Sequence, residues 1–230
     1  MSTSVAPELV AGVDVRIPLG TNDLRGHLML PGGARGLVIV ANGDGDHVYD
    51  ETNGYVARRL YEVGFAALLV DLLTPNETIE DAETSALRFR HRLLASRLVH
   101  LTRWARARPA FRGLEIGIFA SGLCGGAALA AGSVATSLTA IVCRGARVDL
   151  IMPRLRRVRA DVLLLVGERD TAHLGANRGA VRLLPESARV EIVPNSGHLL
   201  DDADPLQRVV RETEWWFART LASRPPRNGA

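Results

Sequence analysis

Five short apolar runs recur along this chain: GLVIVA (36–41), FAALLVDLL (65–73), LEIGIFA (114–120), LTAIVC (138–143) and DVLLLVG (161–167). Each is nearly continuous rather than alternating, which is how a strand reads when both of its faces are covered. Helical patterns stand between and after them. YVARRLYEVG (55–64) is amphipathic and ends at Gly64; a long pattern runs from Ala82 to Ala107; others cover 124–135, a short piece at 150–157, 174–184 and Asp204 to Ala222. RVEIVP (189–194) gives a last strand. Strands and helices in alternation imply a mostly parallel central sheet with helices on both faces. Two earlier β patterns, VDVRIPL and LRGHLML, flank the turn residues GTND and imply an N-terminal antiparallel hairpin.

A chain of 230 residues is long enough for one domain with a large core. Residues 1–222 read as a single domain, with 223–230, SRPPRNGA, as a disordered tail. No apolar run approaches the roughly 20 residues of a membrane span, and MSTSVAPELV has no signal-peptide pattern. All 28 basic residues are arginine, against 25 acidic ones. That balance reads as codon preference and not as a nucleic-acid-binding surface; RLRRVRA (154–160) reads as a solvated helix face. Cys124 and Cys143 form no disulfide framework and no metal-ligand spacing, so a reducing cytoplasm is the expected setting. Neither a cofactor nor a metal is expected. A small molecule is the expected partner, with neither nucleic acid nor membrane. The apolar Trp215-Trp216-Phe217 suits either the core or a homodimer interface.

In parallel sheets ligands bind at the carboxyl ends of strands. The residues immediately after each strand therefore matter most. NGDGDHVYDE comes after the first, SGLCGG after the third, ERD (ending at Asp170) after the fifth and NSGH (ending at His198) after the last. Nucleophile, acid, histidine is the chain order of an α/β-hydrolase triad, in which the acid fixes the tautomer of the histidine and the histidine takes the proton of the nucleophile. Over residues 10–220 the chain resembles the dienelactone-hydrolase-like branch of that superfamily. YVARRLYEVGFAALLVDLLTPNE, DVLLLVGERD, VEIVPNSGH and ETEWWFARTL carry the resemblance, together with CRGARVDL after the fourth run. It implies an α/β-hydrolase fold, Asp170 as triad acid and His198 as triad base. Asp170 also suits a helix N-cap. His27, His47, His91 and His100 read as structural or solvated, and His173, three residues after Asp170, as a residue that could line the pocket.

The nucleophile turn admits three registers. Small residues must stand two before and two after the nucleophile. Ser121 fails, between Phe119 and Leu123. Cys124 satisfies the rule between Gly122 and Gly126, and dienelactone hydrolases resemble it in carrying a cysteine in such a setting. Spacing from the flanking strands instead puts Gly122 at the turn, between Ala120 and Cys124, with no nucleophile. The oxyanion side departs from the family too. Asn42-Gly43 stands where His-Gly is usual, with Asp44 and Asp46 beside it; the N–H groups of Asp44 and Gly125 would face the oxyanion. Asp44, Asp46 and Asp50 lack the spacing of a calcium loop and read as a polar loop. Three functions stay open. One is hydrolysis of an ester, thioester or lactone by Cys124, His198 and Asp170. Another is His198–Asp170 general-base chemistry without a nucleophile, as in a lyase, isomerase or cyclase. The third is a non-catalytic binding protein.

Overall fold

The computed structural model describes residues 12–43, 51–198, 200 and 202–222. The 44–50 loop and the 223–230 tail, each given a reading above, lie outside the described residues. All eight described strands form one sheet. In chain order they are β1 (Val13–Leu19), β2 (Asn22–Met29), β3 (Leu37–Asn42), β4 (Ala66–Asp71), β5 (Ile116–Ser121), β6 (Leu138–Arg144), β7 (Asp161–Gly167) and β8 (Arg189–Val193). Their spatial order is β1-β2-β4-β3-β5-β6-β7-β8. β1 and β2 form the expected hairpin, Leu19 facing Asn22 across Gly20 and Thr21, and β2 runs antiparallel to β4. The other five pairings are parallel. This is the α/β-hydrolase fold.

Because side chains alternate along a strand, each apolar run supplies two cores at once. Leu37, Ile39 and Ala41 join one core; Val38 and Val40 join the other. α3 (His91–Arg106) and α4 (Gly122–Gly132) cover the first core. α1 (Glu51–Glu62) and α6 (Ala203–Thr220) cover the second. There Phe217 of α6 lies so close to β5 that a Cβ at Gly117 would meet its ring at 2.6 Å. Trp216 and Phe217 belong to this core, and Trp215 is half exposed.

The long helix expected over 82–107 is two helices. α2 (Pro75–Thr84) opens with a capping box between Thr74 and Glu77 and ends at Ser85, which takes a left-handed backbone. Buried Asp81 makes the break stable. Its carboxylate accepts the N–H groups of Leu87 and Arg88 and the Arg88 guanidinium, at 2.7–3.0 Å. The apolar periodicity continues across this break, and a side chain that bonds non-helical backbone interrupts the helix all the same. Smaller shifts occur at helix starts. The piece expected at 150–157 is a 3-10 segment from Val148 to Arg157, and α5 (Thr171–Val181) begins directly after Asp170.

Candidate functional site

The chain leaves β3 toward one edge of the sheet and β5 toward the other, so β3 and β5 flank the switch point where such sheets open a crevice. β3 ends at Asn42, with Gly43 next, and β5 ends at Ser121, with Gly122 next. Gly122 carries φ of +53°, the left-handed conformation that lets a strand turn sharply into a helix, and it is the first residue of α4. Ser121 precedes the turn as N-cap residue, and its side chain makes no cap bond. Cys124 lies two residues into the helix and is 1% exposed. Its sulfur fills the space beside Gly43, where a Cβ would stand only 2.5 Å away. Gly125 packs against Ala146.

Asn42 is buried. Its amide donates to Asp71 at 3.2 Å and accepts from Asn53 at 3.5 Å, which ties the end of β3 to β4 and α1. Asp44 and Asp46 lie outside the described residues.

The far side of the crevice is built differently. Asp170 follows β7 and caps α5 by accepting the N–H of His173 at 3.3 Å. One carboxylate oxygen takes His198 Nδ1 at 2.7 Å, and the other takes His173 Nδ1 at 2.8 Å. The N-cap role and the contact with His198 therefore coexist in one side chain. Burial pushes the Asp170 carboxyl up. The hydrogen bonds and charge of His198 and His173 outweigh it and hold the group below the ordinary carboxylate range. The two imidazoles lie 4.6 Å apart between ring centres. His198 rests against Gly145, whose φ of +59° and missing Cβ admit the His198 carbonyl; a Cβ would meet that oxygen at 2.6 Å.

Sequence alone gives His173 no defined partner. The one signal for its contact is spacing: three residues after an N-cap, a side chain returns to the capping residue. Buried Asn177 carries no sequence signal; its amide donates to the carbonyls of Ala146 and His173, pinning α5 to the loop after β6. The other described histidines are accounted for in part by local partners, His27 by Asp14 and His100 by the Pro18 carbonyl.

A dienelactone hydrolase from Anabaena variabilis is 38% identical to this chain, with a TM-score of 0.89; the alignment covers 93% of this chain and 100% of that one. The chain belongs to the dienelactone-hydrolase-like family. Among family-like structures, a dienelactone hydrolase-like promiscuous phosphotriesterase from metagenomic libraries superposes with a TM-score of 0.73 at 18% identity, over 92% of this chain and 98% of that one, and shares the fold. Two proteins of Mycobacterium tuberculosis, provisionally named phosphoribosyl transferases, are 36% identical over 214 residues, 93% of this chain. The chain spans about half the length of these curated relatives, 47%. No family model matches the chain.

Proposed function

We propose that this protein is a dienelactone-hydrolase-like enzyme that cleaves an ester or lactone without a covalent intermediate. His198, oriented by Asp170, acts as general base on water. The observation that carries this reading is glycine at the left-handed turn after β5, beside an intact Asp170–His198 contact. A nucleophile at Gly122 is missing, and the Cys124 thiol is enclosed against Gly43. In the proposed step water attacks the carbonyl carbon while its proton passes to His198 Nε2, the nitrogen left free because Nδ1 faces Asp170. The tetrahedral alkoxide then collapses, the carbon–oxygen bond to the leaving group breaks, and the imidazolium returns the proton to that oxygen. General-base assistance of this kind contributes about 10²–10⁴ in rate. This is less than a full triad supplies, so slow turnover of simple esters is expected.

The test is a panel of lactones and p-nitrophenyl esters, read by turnover and by intact mass. Wild type is expected to turn over with no burst and no acyl adduct, and Gly122→Ser to gain a covalent fluorophosphonate adduct at residue 122. An acyl group captured on Cys124 of the wild type would overturn the proposal and return the thiol to the centre of the mechanism.

A further inference from the structure

His173 is the member of the cluster that an acid–histidine pair does not require. An acid–histidine pair needs one imidazole on Asp170, and the second carboxylate oxygen already receives the His173 backbone N–H. The His173 ring is nevertheless folded back onto the same oxygen, and it lies over the His198 ring with the planes tilted by 33°. Among the described residues, Asp170, His173 and His198 form a group in which one ligating atom from each lies within 4.8 Å of the others. The carboxylate is fixed, its side chain 4% exposed, whereas the imidazoles reach solvent, at 21% for His173 and 37% for His198.

We propose that Asp170, His173 and His198 form a two-histidine, one-carboxylate binding site for a divalent transition ion of the zinc class. Imidazole and carboxylate are the donors that zinc accepts, and bonds of about 2.0–2.2 Å require ligands roughly 3.4 Å apart. Each imidazole Nδ1 already stands 2.7–2.8 Å from a carboxylate oxygen, so an ion enters by replacing these two contacts, with torsion of the partly exposed rings opening each pair around the fixed carboxylate. Three protein ligands leave a fourth position for water, the arrangement of zinc sites that do chemistry rather than hold a fold together. The site lies at the carboxyl end of the sheet, where His198 touches Gly145, the residue after β6, the strand beside the emptied turn of β5. A water acidified by the ion would stand in for the missing nucleophile. The proposal does not rest on the general-base reading, because binding is read without turnover.

The experiment uses tag-free full-length protein stripped with EDTA. Zn²⁺ is titrated calorimetrically, and Co²⁺ is followed by its visible absorption. Wild type is expected to take up one equivalent with micromolar or tighter affinity, to show an intense tetrahedral cobalt band and to melt at higher temperature with Zn²⁺ present. His173→Ala and the milder His173→Gln are expected to lose at least about 10-fold in affinity. His100→Ala, whose ring meets the Pro18 carbonyl far along the chain, is expected to bind like wild type. Absence of saturable zinc binding to wild type would overturn the proposal, as would equal binding by both His173 variants. Undiminished turnover in EDTA, with no zinc uptake, removes the metal site and leaves the general-base reading standing. Zinc uptake by the wild type, with turnover untouched in His198→Ala, removes the general-base reading and leaves the binding site standing.

Discussion

The two sides of the crevice contrast in what they carry. At the ends of β7 and β8 the chain gathers one buried carboxylate and two imidazoles, each hydrogen-bonded through a defined nitrogen. At the ends of β3 and β5 it presents two glycines, a buried amide and a buried thiol. The difference has a physical origin. The left-handed turn after β5 is strained for any residue with a Cβ, by roughly 1–2 kcal/mol, and glycine relieves it. Glycine at this position thus stabilises the turn locally. Loss of Asp170 would instead strip the N-cap of α5 and two imidazole contacts at once.

The sharpest attempt to break this contrast is His198→Ala. It is expected to lower turnover about 10²–10⁴-fold on the best substrate of the panel, with the melting temperature little changed. A loss under twofold would move the chemistry away from the corner that looks equipped. Gly145→Ala comes next. The added methyl sits on a left-handed backbone and collides with the His198 carbonyl, so turnover should fall at least about 10-fold. Unchanged kinetics there would mean that the His198 loop is not held by Gly145.

The same contrast separates features legible in the sequence from those that are not. The sheet, its hairpin and the Asp170–His198 pairing are legible because long apolar runs and their end positions are properties of local sequence. The break at Asp81 and the ring of His173 on Asp170 are not, because each depends on a side chain bonding backbone or a neighbour outside the periodic pattern. The competition between Cys124 and Gly122 is a matter of register within half a helical turn, where local motif and flanking spacing disagree. The backbone puts the left-handed residue of the turn at 122.

Cys124→Ala probes the β3–β5 side at smaller magnitude. Removing a buried atom of methyl size should cost about 0.5–1.5 kcal/mol in denaturant unfolding and leave turnover within twofold. Iodoacetamide should label native Cys124 and Cys143 slowly, both being buried; burial also pushes the Cys143 thiol up. Fast labelling of Cys124 would contradict the enclosure that separates the two sides.

The smallest expected effect is in acid. The folded-state pKa of Asp170 is lowered, so its contribution to stability is complete above the ordinary carboxylate value of 3.8 and lost as pH falls through the folded value. Glu77 and Asp81, lowered by Arg97 and Arg88 against their own burial, act in the same direction below 4.5 and 3.8. His173→Ala removes one support of Asp170 and should move the acid limb of the unfolding curve slightly upward in pH. Coincident curves would show that the His173 contact contributes nothing to the stability of the Asp170 corner.

The lodging of Phe217 against Gly117 also bears on how the chain is made. Ala140, Val142, Leu163 and Leu165 lie on strands that pack against α6, which follows every strand in chain order. Ribosomes add about 5–20 residues each second, so the central strands emerge seconds before the helix that seals them. During that interval the part of this sheet face that α1 does not cover is apolar and bare, an aggregation hazard that falls on the growing polypeptide and vanishes from the finished one.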